Sequence, residues 1–317
     1  MKKRISLFLL SFHLSAQAAD LPGIPPFIDA MVDKHQFRRD ELQRAFQLAE
    51  RRQDVIDSIS MPATLRPWVE YRPNFINPQR ISLGVRFWKK HERALRRAEK
   101  IYGVPQEIIV GIIGVETMYG NGTGHYRALD ALTTLAFDFP RRADFFRDEL
   151  EKYLLLAREQ GFDLLSIQSS YAGALGIPQF MPSNYRRYAV DFNGNGKVDI
   201  MREPEDAIGS VANYLKHYGW RSGEPVALLA NVEDAGRMGS IGDSRPYLAW
   251  KEAGVTTAER QTGILPPAWV LDFTVKSGKE YWLVFNNFNV IMRYNISNFY
   301  AMSVHQLAEA VRQRAVQ

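Results

Sequence analysis

Apolar positions recur at helical spacing over most of this chain. From Pro25 to about Lys100 the pattern runs through Phe27 and Met31, then Asp40 to Ile59, then Leu83 to Tyr102, all rich in good helix formers. One segment interrupts it, Trp68-Val-Glu-Tyr-Arg-Pro-Asn-Phe75. Its aromatic residues and Pro73 predict a loop or short strand able to lie along a groove. Helical character continues from Tyr102 to Trp220. Beyond Trp220, Pro, Gly and Asp punctuate the chain, and apolar residues alternate from Val270 to Phe285 around Ser277-Gly278, which predicts a β-hairpin. The chain returns to a helical pattern from Tyr300 to Val316. No internal repeat or low-complexity tract is present. The pattern as a whole predicts a mainly α protein with a small β-containing part.

One polar residue stands out against this background. In Gly111-Ile-Ile-Gly-Val-Glu-Thr-Met-Tyr-Gly120, Glu116 ends an otherwise apolar run. Pro105 suits the first turn of a helix and Gly120 the position just past its end. Ile109, Ile112, Ile113 and Glu116 then share one face, so the carboxyl points toward the interior. Burial and the negative end of the helix dipole both disfavour a charged carboxylate and raise its pKa. A Glu still protonated near neutral pH is a general acid. The same helix is equally compatible with a Glu paired to an arginine or turned into solvent at a fraying end.

Two further stretches carry chemistry. Ser169-Ser-Tyr-Ala-Gly-Ala-Leu-Gly-Ile-Pro-Gln-Phe-Met-Pro-Ser-Asn-Tyr185 mixes small residues with hydrogen-bonding Ser170 and Gln179 and the rings of Tyr171 and Phe180. That mixture suits a sugar-binding cleft, or a helix junction needing close packing. Asp191-Phe-Asn-Gly-Asn-Gly-Lys-Val-Asp199 has the oxygen-bearing residues and central glycine of an EF-hand-type calcium loop. Its last ligand position holds Arg202, so closure falls to Glu203, Glu205 or Asp206. Asn193 and Asn195 stand where carboxylates could, which predicts weak affinity.

Composition narrows the classes. At 317 residues and 46% hydrophobic content the chain can bury a sizeable core and form more than one domain. It opens Met-Lys-Lys-Arg, runs apolar from Ile5 to Leu14 and reaches Ala16-Gln17-Ala18, the pattern of a secretory signal (residues 1–18) cleaved near Ala18 and too short to span a membrane. Taking Lys2, Lys3 and Arg4 off the formal +5 leaves only about +2. Such a mild balance argues against a nucleic-acid partner, and Arg93, Arg96, Arg97 and Lys100 read as a solvated helix face. The absence of cysteine removes disulfides, a thiolate nucleophile and a thiol for lipid attachment at the signal junction, so a soluble exported protein is expected.

Gly114-Val-Glu-Thr-Met-Tyr-Gly120, Ala172-Gly-Ala-Leu-Gly-Ile-Pro-Gln-Phe-Met-Pro-Ser183, the Asp191 loop with Asp206-Ala-Ile-Gly-Ser-Val-Ala-Asn-Tyr214, and Arg293-Tyr-Asn295 together resemble the lytic murein transglycosylase B family. The likeness spans nearly the whole chain after the signal. It implies a lysozyme-like fold: an α-helical domain over 19–100 completed by a helix at 303–317, a catalytic core over 101–220 and 286–302, and a small β-containing domain over 221–285. It implies a periplasmic enzyme that cleaves the bond between N-acetylmuramic acid and N-acetylglucosamine in peptidoglycan and leaves a 1,6-anhydromuramoyl end. By the same resemblance Glu116 is the catalytic acid and then base. Tyr71, Ser170, Gln179, Phe180, Tyr294, Asn295 and Tyr300 are cleft residues, and Arg141 is an outer contact. Structural calcium would be held by Asp191, Asn193, Asn195, the Lys197 carbonyl and Asp206, with no organic cofactor. Partners would be peptidoglycan strands, and cell-wall synthesis or division proteins, for a monomer.

An ordinary glycosidase uses two carboxylates. Asp130, Asp138 and Asp144 lie on neighbouring segments, so a muramidase that hydrolyses the same bond stays open. So does a peptidoglycan-binding scaffold without turnover.

Overall fold

A computed structural model describes residues 21–61, 66–238, 242–259, 261 and 263–316. The expected signal segment, 1–18, lies outside the described residues. Two compact units emerge. Of the described residues, the first comprises those up to 60, 126–167 and 171–173; the second comprises those within 61–125, 168–170 and 174–316. Segment 126–167 thus joins the N-terminal helices, where the sequence had suggested the core. The cut expected near residue 100 falls inside the second unit.

The first unit is helical, built from Ile24–His35, Arg39–Gln47, Gln53–Ser60, Ala128–Asp138 and Ala143–Gln160. Their apolar faces bury Ile28, Met31, Leu42, Phe46, Leu132, Phe146 and Leu154. The ring of Phe27 meets those of Phe46 and Phe137 edge-on. Asp130, fully buried, accepts the Glu50 backbone N–H at 3.0 Å and pairs with Arg127 at 2.6 Å, so its cost of burial is offset by two charge-assisted bonds.

In the second unit the apolar helix Gln106–Thr117 lies against Asn298–Val316, Pro78–Lys90 and Pro204–His217. A helix hydrophobic on every side must be enclosed, and Ile108 to Val115 are all buried. The sheet is antiparallel, in the spatial order Val255–Thr257, Ala227–Val232, Gly278–Val284, Trp269–Val275. The last two strands form the expected hairpin, with Val275 paired to Gly278. Ala230, Trp250, Val255, Val270, Leu283 and Phe285 make its core.

The aromatic segment departs from expectation. Trp68–Tyr71 is a short helix followed by a 3-10 turn at Arg72–Asn74, started by Glu70 and Tyr71 N–H groups donating to the Pro67 carbonyl. Proline without a donor suits the start of such turns. Trp68 is buried against Tyr71, Phe273 and Phe299, so its ring serves packing. Arg93, Arg96 and Lys100 are exposed; Arg96 pairs with Glu92, and Arg97 covers the ring of Phe192 at 3.8 Å.

Candidate active site

The Glu116 helix starts after Pro105, which sits outside the first turn, and stops at Thr117, three residues before Gly120. Met118 and Tyr119 both take left-handed backbone angles ahead of Gly120. Left-handed angles are unfavourable for such side chains. The bend is held by Met118 N–H donating to the Gly114 carbonyl and Tyr119 N–H to that of Ile113. Thr117, buried, adds a cross-link: its hydroxyl donates to the Ile177 carbonyl at 2.8 Å and accepts the Gly120 N–H at 3.0 Å. Its signal in the sequence was a polar residue at a position the helical period makes internal.

Two glycines on this helix let another helix close in. A Cβ on Gly111 would lie 2.8 Å from the Val304 carbonyl oxygen, and one on Gly114 would lie 2.9 Å from Leu307. The close approach of Asn298–Val316 delivers Tyr300, whose hydroxyl donates to Glu116 Oε1 at 2.5 Å. Glu116 stays partly open to solvent, as a substrate-facing group must. Burial pushes its carboxyl up to about 7, and the Tyr300 hydrogen bond acts the other way by favouring the ionised form. No acidic neighbour contributes to that rise. Asp130, Asp138 and Asp144, the candidate second carboxylates, belong to the first unit and are committed to Arg127, Arg51 and Arg147.

Tyrosines surround the carboxyl. Tyr71, Tyr294 and Tyr300 all have their phenol pKa raised, first by burial and then by the charge of Glu116, so they remain neutral donors. Tyr294 donates to the Pro178 carbonyl at 2.6 Å and lies nearly parallel to Tyr300 with centroids 6.4 Å apart. Tyr214, on Pro204–His217 and not among the expected site residues, has its ring centroid 4.8 Å from that of Tyr294. Phe180 corrects an expectation: it is enclosed by Tyr214 and Tyr294 and only 1% exposed, so it supports the tyrosines and offers no open face to a sugar.

Ser170 and Gln179 are shaped by the small residues around them. Ser170 Oγ accepts the Ala174 N–H at 3.1 Å, and its own N–H donates to the Ala174 carbonyl. Gln179, in the left-handed region, donates its amide to the carbonyls of Thr123 and Gly176. Asn295 is exposed beside Tyr294 in the chain. Arg141 lies exposed in a 3-10 turn of the first unit. The second unit thus brings Glu116, Tyr71, Tyr294 and Tyr300 together, while Arg141 belongs to the other unit.

This geometry predicts the behaviour of Tyr300→Phe. Loss of a donor to the ionised form raises the Glu116 pKa further, so the alkaline limb of a pH–rate profile moves to higher pH. Loss of orientation lowers kcat at neutral pH roughly tenfold or more. Steady-state rates across pH 5–9 check both; an alkaline limb moving downward would exclude this hydrogen bond.

The Asp191 loop is tied together by the side chain of its first residue. Asp191 Oδ1 accepts the N–H groups of Gly194 and Asn195, and Oδ2 that of Gly196. Gly194 and Gly196 have positive φ. Asp206 does not face the loop centre: it is fully buried, and its two oxygens accept the N–H groups of Phe192, Asn193 and Asp199. It is the post that fixes the loop from behind. Glu203 faces the loop side chains instead, accepting the amides of Asn193 and Asn195. The correction has a simple cause, since the helix starting at Pro204 buries Asp206 in its first turn and leaves Glu203 at its mouth. Among the described residues no cluster of three His, Cys, Asp or Glu side chains could hold a metal, so a site here needs asparagine and backbone oxygens beside its carboxylates.

A profile described as the transglycosylase SLT domain matches residues 22–309. The chain belongs to this transglycosylase family. It is 44% identical over 315 residues to the membrane-bound lytic murein transglycosylase B of Escherichia coli K12, covering 96% of this chain and 87% of the relative. The E. coli lytic transglycosylase Slt35, solved with bulgecin A and with calcium, superposes with a TM-score of 0.88 at 44% identity over 96% of both chains. Pseudomonas aeruginosa SltB3, solved with NAG-anhNAM-pentapeptide, is 29% identical with a TM-score of 0.80 over 91% of this chain and 79% of SltB3. The family's lysozyme-like architecture agrees with the mainly helical fold and its small sheet. No described helix is long and apolar enough to cross a membrane.

Proposed function

We infer that this protein is a peptidoglycan lytic transglycosylase, cleaving the β-1,4 bond between MurNAc and GlcNAc with formation of 1,6-anhydroMurNAc ends. One observation carries this: the Glu116 carboxyl is raised to about 7 by burial and held by the Tyr300 hydroxyl, and among the described residues no acidic group contributes to that rise. Protonated Glu116 gives its proton to the glycosidic oxygen as the C1–O bond breaks. The resulting carboxylate then takes the proton of the muramoyl C6 hydroxyl while that oxygen closes on C1, so the proton count balances and no water is consumed. Tyr300 orients the carboxyl in both steps. Tyr71, Tyr294, Ser170, Gln179 and Asn295 are proposed to line the glycan groove, and Arg141 to meet an outer sugar or stem.

Purified sacculi test the activity. Release of soluble muropeptides by the wild-type protein is expected; tight binding without release would assign the scaffold role. Location in the periplasm rests on the export signal read from residues 1–18.

Calcium is proposed as a structural ion held by Asp191, Asn193, Asn195, the Lys197 carbonyl and Glu203. When bound it would neutralise the loop carboxylates and brace the segment before the Pro204 helix. Saturating calcium at a hundred times Kd should add about 2.7 kcal/mol of stability and raise Tm. Asp191→Ala should lose that response, and a wild-type Tm indifferent to calcium would remove the ion from the account.

A further inference from the structure

The last turn of the Glu116 helix is held by a residue from a neighbouring helix. Arg80, on Pro78–Lys90, sends Nη1 to the Gly114 carbonyl, which also accepts the Met118 N–H at 3.2 Å. The guanidinium lies over the Phe75 ring at 5.3 Å, and its Nε is buried without a hydrogen-bond partner. Arg80 makes no ion pair among the described residues. A half-buried cation with no counter-ion is costly, and an apolar side chain would pack there at less cost. What the cation does gain is a charge-assisted bond to a carbonyl near the negative end of a helix.

The turn it grips needs holding. Met118 and Tyr119 are in left-handed angles, which residues with a Cβ adopt only at a cost. Tyr119 folds its hydroxyl back into the space left by two glycines: a Cβ on Gly84 would lie 2.4 Å from that oxygen, and one on Gly114 would lie 2.6 Å from it. The hydroxyl is buried and unpartnered, so it anchors nothing by hydrogen bonding. Arg80 is thus the polar tie between Pro78–Lys90 and the turn that aims the carboxyl.

We propose that Arg80 is a positioning residue for Glu116, clamping the Gly114 carbonyl so that the strained turn cannot unwind and the carboxyl stays enclosed beside Tyr300. The inference rests on Glu116 being the acid–base group. Among the described residues the titratable groups that feel that carboxyl are Tyr71, Tyr294 and Tyr300, all held neutral, so a shifted alkaline limb reports on Glu116 itself.

Arg80→Met and Arg80→Lys, assayed on solubilised glycan strands from pH 5 to 9 with a melting curve for each, test it. Arg80→Met should lower kcat about 100-fold with KM within about twofold, because small misplacements of a reacting group cost that much. Its alkaline limb should move to lower pH as the turn loosens and water reaches Glu116. Arg80→Lys, with the charge but not the planar fork, should recover part of both. Wild-type kcat and limb in Arg80→Met, or a raised KM at unchanged kcat, would overturn the proposal. If Arg80→Met does not fold, Arg80→Lys decides: an intermediate kcat and limb support the clamp, and wild-type values refute it. Full activity of Glu116→Gln would instead remove the acid–base reading, whatever Arg80 does.

Discussion

Glu116→Gln should lose roughly 10³–10⁴-fold in kcat while still binding glycan strands, because the amide has no proton for the leaving oxygen and cannot accept one from the C6 hydroxyl. The same substitution should make the protein more stable at alkaline pH. The native carboxyl titrates near 7 against an ordinary value of 4.5. A folded-state pKa above the unfolded one means the native state binds the extra proton. The stability this confers is complete below about pH 4.5 and is lost as pH rises through about 7. Glutamine carries no such penalty, so at pH 8 it should exceed wild type by about 1–3 kcal/mol, with the two nearly equal at pH 4. Urea melts at the two pH values check this. Equal differences at both would mean that Glu116 titrates normally.

Gly111, earlier on that helix, is the second such position. Gly111→Val should cost about 3 kcal/mol and most of the activity, since its Cβ alone would lie 2.8 Å from the Val304 carbonyl and 3.1 Å from Ala308. A backbone oxygen cannot turn aside, so the helices must separate and Tyr300 moves away from Glu116. Gly111→Ala should be milder, because the clash is offset by about 1 kcal/mol of helix propensity. Denaturant melts, with kcat measured well below the midpoint, separate the effects. Wild-type stability and rate in Gly111→Val would show that the close approach does not matter.

Periodicity made much of this legible. The apolar run ending at Glu116, the hairpin about Ser277-Gly278 and the C-terminal helix were readable because each is a local pattern. The aromatic segment at Trp68 was not, because rings and prolines suit a turn as well as a strand, and packing against Phe273 and Phe299 decides between them. Phe180 and Asp206 were found as important positions and given the wrong orientation: burial turned one into support for tyrosines and the other into a backbone anchor. Thr117, Tyr214 and Arg80 were missed, since each acts through partners distant in sequence. The grouping of 126–167 with the N-terminal helices was hidden for the same reason.

Glu116 alone carries the acid–base chemistry, and no water enters the product. Digestion of purified sacculi in water enriched in oxygen-18, followed by mass spectrometry of the released muropeptides, tests it most directly. Anhydromuramoyl ends are expected, lighter by one water than a hydrolysis product and free of the heavy isotope; reducing ends carrying oxygen-18 would make the protein a muramidase.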